Sequence, residues 1–172
     1  MFKTLVNARS NRAMAARLYA AVTTRAREPV FFAELGVPDT IDGRFDLVVL
    51  HAWLLLDRLR ALGMTEVSQS LVDALFAGFE DSLRDLGVGD IGIGHRVKKM
   101  ANAFYGRMAA YDTARDSNAL AEALGRNVYR DEQGNAGALK NYAISARVHL
   151  ARCDLSTDTP DFGPLPELGS TR

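Results

Sequence analysis

The chain reads as all-α, a single-domain bundle of about six to seven helices. Three observations predict this: apolar residues recur three and four positions apart in nearly every window, no window alternates with the period of a strand, and Gly or Pro interrupts the pattern at intervals that suit short helix connections. A first helix is expected over Arg9 to Thr24, and a short one over Pro29 to Leu35, stopped by Gly36 and Pro38. Asp42 is placed to cap a third helix running to Leu62 and ending at Gly63. That helix, RFDLVVLHAWLLLDRLRAL, is apolar on nearly every face, which marks it as the central one with neighbours all round.

Thr65 is placed to cap a fourth helix, carrying Val67, Leu71, Leu75, Phe79, Leu83 and Leu86 at helical spacing until Gly87. Beyond the glycines, Val97, Met100, Phe104, Met108 and Tyr111 form the stripe of a fifth. Ser117 or Asn118 opens a sixth through Leu120, Leu124 and Val128, and a last helix over Ala136 to Ala151 uses Leu139, Tyr142, Ile144 and Val148. The segment STDTPDFGPLPELGSTR that follows is rich in Pro, Gly and Ser and is expected to be disordered. Three parts result: a basic N-terminal arm with the first helix over 1–27, the helical body over 28–155, and a flexible tail over 156–172.

Length and composition allow one ordinary core. With 172 residues and 48% hydrophobic content the chain needs no staple, and the one cysteine, Cys153, forms no internal disulfide. The longest apolar run, Leu47 to Leu56, is half of what a membrane span takes, and no secretory leader is visible. Neither a span nor a signal peptide is expected. Charge is balanced at 21 basic and 21 acidic residues, but Lys3, Arg9, Arg12, Arg17, Arg25 and Arg27 all precede the first acid, Glu28. Such an arm is drawn to anionic surfaces, lipid headgroups or RNA phosphates, with Lys3, Arg9, Arg12 and Arg17 as candidate contacts. The competing account is a first helix whose arginines are simply solvated.

Two motifs invite an enzymatic reading. Gly87, Gly89 and Gly92 spell GxGxxG, but that pattern works where a strand delivers the chain to a glycine turn, and here a helix precedes it. The glycines read instead as a helix end at Gly87, a turn at Asp90, and close backbone approach at Gly92 and Gly94. Asp81 with Asp85, and Asp112 with Asp116, are spaced one helical turn apart, the pattern with which squalene synthase-like enzymes hold magnesium and an isoprenoid diphosphate. Arg84 and Arg115 lie between the partners of each pair, the look of a salt-bridged solvent face. His51, His95 and His149 are isolated from one another, and His51, among apolar neighbours, reads as a hydrogen-bonded core residue. Nothing nominates a catalytic group, a metal site or a cofactor.

Taken together, FFAELGVPDTIDGRFDLVVLHAWLLLDRL (Phe31 to Leu59), QSLVDALFAGFEDSLRDLGVGDIGIGHRVKKMANAFYGRMAAYD (Gln69 to Asp112) and ALAEALGRNVY (Ala119 to Tyr129) resemble the ubiquinol-cytochrome c chaperone family. The segment with Leu83, Arg84, Gly87, Val88, Gly89 and Asp90, then Lys98, Met100, Phe104, Tyr105, Gly106 and Arg107, carries most of the likeness. The resemblance implies an all-helical, non-enzymatic assembly factor of respiratory complex III that receives newly made cytochrome b. It further implies contact with the ribosome exit region and the inner membrane surface, and no DNA partner. Arginine outnumbers lysine 17 to 4, which agrees with a bacterial source of high G+C content; in a bacterium the resemblance implies a cytoplasmic protein peripheral to the inner membrane. A client made of membrane segments calls for an apolar face, for which Phe31, Phe32, Phe76, Phe79, Phe104 and Tyr105 are candidates, and a basic one, for which Arg96, Lys98, Lys99 and Arg107 are. The competing account puts the aromatics in the core and the cations on a solvated helix face.

Overall fold

In the computed structural model the chain is described over residues 2–114, 116–130 and 134–166, the side chains of residues 2–6 and 91 excepted. It forms seven helices and, among the described residues, no strand: α1 (Phe2–Arg25), α2 (Pro29–Ala33), α3 (Ile41–Ala61), α4 (Thr65–Asp85), α5 (Asp90–Thr113), α6 (Ser117–Leu124) and α7 (Ala136–Arg152), with a π-helical turn (Gly125–Tyr129) continuing α6. The all-α expectation holds, with α1 and α5 starting earlier than the apolar pattern suggested.

α3 is central because it has no polar stripe to give to water. Leu47, Leu50, Leu54, Leu55 and Leu59 are buried on successive faces, and α1, α4, α5, α7 and the π-turn all pack on it. α1 lies chiefly along α4, while α6 and α7 pair at the other side. The caps are local chemistry. Thr40, not Asp42, caps α3, its hydroxyl accepting from the Gly43 N–H at 3.1 Å, and Asp42 lies within the first turn. Asp116 caps α6 by accepting from the Asn118 and Ala119 amides, both at 2.8 Å. α4 has no side-chain cap, and Thr65 is simply its first residue.

α3 and α4 end in the same way. Beyond α3, Met64 N–H reaches the Leu59 carbonyl at 2.9 Å and Gly63 N–H that of Arg60 at 3.0 Å; beyond α4, Val88 reaches Leu83 at 3.1 Å and Gly87 reaches Arg84 at 2.8 Å. This paired closure needs a left-handed residue, and Gly63 (φ 68°) and Gly87 (φ 78°) supply it. So the glycine run is a helix end followed by a helix start, as its residue types suggested. Three details differ from expectation: Asp90 is the first residue of α5 and the turn lies at Leu86 and Gly87, the atom nearest a side chain at Gly92 would be the Val88 Cγ1 at 3.2 Å and not backbone, and none approaches at Gly94.

The segment after α7 corrects the expected start of the tail. It is irregular, as its Pro and Gly content dictates, but up to Pro166 it is tied down: Leu155, Pro160 and Phe162 are buried, and the Arg17 guanidinium donates to the Leu155 and Ser156 carbonyls at 2.6 and 3.2 Å. Arg25 does the same for Gly163 and Pro164 at 2.7 and 3.0 Å. Residues 167–172 lie outside the described residues.

Two glycine substitutions separate backbone strain from steric overlap. A Cβ at Gly43 would overlap the Pro38 carbonyl oxygen, a backbone atom that cannot step aside, whereas one at Gly63 meets nothing but the positive φ. In urea denaturation Gly43→Ala is expected to cost about 2 kcal/mol or more, and Gly63→Ala about 1 kcal/mol. Equal losses would reject the overlap.

Candidate functional site

The sequence candidates on α4 and α5 come together in one aromatic array. Phe45 of α3 packs on Phe79 with ring centres 5.2 Å apart, Phe79 on Phe76 at 5.7 Å, and Phe76 on Phe104 at 5.4 Å. Phe76 also stacks on Tyr105, 6.1 Å away and inclined by 28°. The four that α4 and α5 supply occupy different depths. Phe104 is buried and Phe79 nearly so, Phe76 is half-buried, and Tyr105 is 57% exposed. The array therefore starts in the core and surfaces at Tyr105. Phe31, offered as a surface aromatic, is wholly buried, and Phe32, next to it on α2, is half-buried in a cleft shared with Pro29, Asp39 and Arg44.

The cations divide in the same way. Arg96, Lys98 and Lys99 are exposed on α5, and Asn102 with Tyr105 follows Lys98 at one-turn steps on the same side of the helix. Arg107 is not part of that surface. Its Nε sits 2.7 Å from Oδ1 of Asp46, an ion pair without hydrogen-bond alignment, and its guanidinium carbon lies 5.3 Å over the Phe45 ring. The correction has a plain cause: Asp46, on the central helix, has no exposure at all, and a carboxylate there must be met by cations. Arg130, in the left-handed conformation just after the π-turn, provides the other at 2.9 Å. Burial pushes the Asp46 carboxyl up to about 6 against the pull of both guanidiniums, so it is ionised at neutral pH. The Asp46 partnership was not legible in RFDLVV, since one acid in an apolar helix carries no signal of which arginine will meet it.

A second buried polar group lies farther along α3. His51 contacts the Leu47 carbonyl through Nδ1 at 2.7 Å and the Tyr142 hydroxyl through Nε2 at 2.8 Å; Arg25 Nε donates to that same hydroxyl at 2.9 Å. A carbonyl only accepts, so Nδ1 carries the proton, Nε2 accepts from Tyr142, and Tyr142 accepts from Arg25. Burial holds His51 neutral, with its pKa lowered to about 4, and it pushes the Tyr142 phenol up to about 12. This is the hydrogen-bonded core histidine expected from its neighbours.

The arm residues are also parted. Arg9 and Arg12 are exposed, Arg17 is spent on the C-terminal segment, and the Lys3 side chain lies outside the described residues. The aspartate pairs do not form a site. Asp81 and Asp85 are exposed on α4, while Asp112 accepts from Trp53 Nε1 at 2.8 Å and pairs with Arg60 at 3.3 Å. α5 ends at Thr113, so Asp116 is on the next helix, as its cap. No group of three or more potential metal ligands occurs among the described residues.

The fold is all-helical, and its aromatic array surfaces at Tyr105, on the side of α5 that also carries Lys98. The chain belongs to the ubiquinol-cytochrome c chaperone family, whose model matches residues 33–157. It is 26% identical over 118 residues to ubiquinol-cytochrome-c reductase complex assembly factor 1 of Xenopus laevis, covering 66% of this chain and 59% of that protein. Protein CBP3, mitochondrial, of Saccharomyces cerevisiae is 33% identical over 106 residues, covering 58% of this chain and 32% of that protein. The chain thus spans 59% and 32% of these two curated relatives. The crystal structure of the Cbp3 homolog from Brucella abortus superposes with a TM-score of 0.77 at 35% identity, covering 94% of this chain and 98% of that one. The family is one of assembly chaperones, and both curated relatives are longer than the part this chain matches.

The two buried groups titrate in opposite directions. The unfolded chain takes a proton on His51 near 6.5 and the folded one only near 4, so His51 costs stability as pH falls from 6.5 to 4. Asp46 is raised from 3.8 to about 6, so it returns stability over nearly the same window. His51→Gln removes the first contribution and leaves the second. Its destabilisation relative to the parent should be smaller at pH 4.5 than at pH 7 by on the order of 2 kcal/mol, read from urea denaturation. A gap that does not change with pH would mean that His51 is not held neutral.

Proposed function

We propose that the chain supports biogenesis of respiratory complex III by receiving newly made or unassembled cytochrome b at the cytoplasmic face of a bacterial inner membrane. The observation that carries this reading is the stacked Phe76–Tyr105 pair. An unassembled membrane protein presents apolar segments without a preferred hydrogen-bonding pattern, and an aromatic surface offers large, non-directional contact to them. Tyr105 is exposed yet held in place by Phe76, which rests in turn on Phe79 and Phe104. Such a surface is pre-organised and loses little freedom when it binds.

The basic rim gives this face a place to work. Lys98 shares the Tyr105 side of α5, Arg96 and Lys99 are exposed elsewhere around that helix, and Arg9 and Arg12 stand exposed on α1 in a stretch with no acid. Positive charge so arranged is attracted to anionic lipid by about 1 kcal/mol per cation near the surface, which would hold the protein where its client emerges. None of the described helices is long and apolar enough to cross a membrane, so attachment of this part of the chain would be peripheral. The same cations suit RNA near a ribosome exit, and the two surfaces are told apart by experiment. The relatives' names support the assembly role and the aromatic face supports an apolar client. Cytochrome b is the specific client this reading commits to.

A photo-crosslinking amino acid at position 105 should capture cytochrome b in the native host, and Tyr105→Ser should lower complex III content with a stability change within about 0.5 kcal/mol, since the side chain is exposed. Capture of no cytochrome b, with complex III unchanged, would reject the client. Arg9→Glu with Arg12→Glu should weaken cosedimentation with phosphatidylglycerol vesicles by roughly tenfold or more at low salt and less at high salt. If that double variant loses RNA binding while vesicle binding is untouched, the arm serves RNA instead.

A further inference from the structure

Residues 155–166 lie against α1 in the manner of a bound peptide. Arg17 and Arg25, two helical turns apart, donate to five of the segment's main-chain carbonyls: those of Leu155, Ser156 and Thr157 at one end, and of Gly163 and Pro164 at the other. A contact to a main-chain carbonyl reads no side chain, so any extended segment could take it. Side-chain recognition is confined to a few anchors, of which Phe162 is the largest: it is buried, with its ring edge-on to His51 at 5.3 Å. Between the two arginines the floor is small, Ala20, Ala21 and Thr24, and a cleft of about 440 Å³ remains between it and residues 159–163. The rest of the segment is largely exposed and has no helix or strand of its own.

We propose that residues 155–166 are an exchangeable strap, and that an extended client segment with an aromatic anchor takes their seat when the strap opens. The incoming segment would set its aromatic ring on His51 and its carbonyls on Arg17 and Arg25. Opening uncovers the His51 ring, on which Phe31 and Tyr142 pack at ring spacings of 5.3 and 5.6 Å, so a second aromatic surface lies behind the strap. Only the identity of the incoming segment rests on the client reading above; the seat itself does not.

The strap carries its own reporter. Cys153, the one cysteine in the chain, accepts the Asp161 N–H at 3.4 Å, and the neighbouring Asp161 carboxylate meets His149 at 3.1 Å. Cys153 is half-buried under this contact, so its alkylation by N-ethylmaleimide in the whole chain speeds up as the strap opens. Phe162→Ser should raise the alkylation rate by about tenfold or more with helical circular dichroism retained. A labelled synthetic peptide of residues 154–166 should bind this variant at least about tenfold more tightly than the parent, which keeps its own seat filled. The same peptide with serine in place of its phenylalanine should not bind, and Arg25→Gln should weaken binding. If Phe162→Ser does not fold, Arg17→Gln, which loosens the other end, carries the same two readouts.

Unchanged alkylation in a folded variant, or no peptide binding to the opened form, overturns the exchange. A photo-crosslinker at Thr24, on the exposed floor, should capture in cells the same client as one at position 105. Capture of the client at 105 but only of the chain's own C-terminal segment at 24 would leave the strap structural and reject the proposal. Capture of no client at either position, with peptide exchange intact, would reject the client reading and keep the seat.

Discussion

The buried carboxylate of Asp46 constrains more of this protein than any other single group. It sits on the helix that α1, α4, α5, α7 and the π-turn pack against, with no access to water, and it must be ionised at neutral pH. Removing one partner from such a group typically costs about 3–5 kcal/mol, because a charge is left uncompensated in the interior. Its partners come from far away in the chain. Arg107 ties α5 to α3, and Arg130 ties down the point where the π-turn breaks off in the left-handed conformation. The strain of a non-glycine residue at φ 53° persists there because the ion pair holds the arginine in place. One carboxylate thereby sets the register of the central helix against two others.

That node also shapes the surface. The Arg107 guanidinium lies over Phe45, Phe45 touches Phe79, and from there the array passes through Phe76 to Tyr105. A side chain that looked like part of the basic face instead fixes the inner end of the aromatic one. The division of labour along α5 follows from its periodicity. Phe104, Met108 and Tyr111 turn inward at three- and four-residue steps, Lys98, Asn102 and Tyr105 turn outward, and Arg107 falls between the two sets with its charge directed to the core. A single helix so supplies core packing, an ion-pair partner and both parts of the candidate client surface.

How much of this was legible in the sequence depends on the range of the interaction. Helix identities, the central place of α3 and the glycine helix ends were legible because periodicity and turn chemistry are local. The neutral, hydrogen-bonded state of His51 was legible from its neighbours, though not that Tyr142 would complete it. What could not be read were pairings across long separations. Arg107 and Asp46 are 61 positions apart, and nothing in either neighbourhood distinguishes a buried arginine from a solvated one. Composition misled in one place, the segment beyond Ser156. Its Pro and Gly content forbids helix and strand but not docking, and two arginines supplied by α1 satisfy the carbonyls that regular structure would have used.

The same arginines revise the meaning of the positive N-terminal region. Six cations before the first acid look like one electrostatic feature, but the helix they ride on has a packed side and a free side. Ala15, Leu18 and Val22 bury the packed side, and Arg17 and Arg25 each donate to main-chain oxygens of the C-terminal segment. The charge that this region leaves free is therefore that of Arg9 and Arg12 in the first half of α1 and of Arg27 just past its end, all exposed. Attachment to an anionic surface and retention of the C-terminal strap draw on different residues of one helix. They can vary independently, with salt weakening the exposed cations far more than the partly buried ones, which are shielded from screening. On the proposed reading, such a protein would leave an anionic surface without opening its C-terminal segment, or open that segment without leaving the surface.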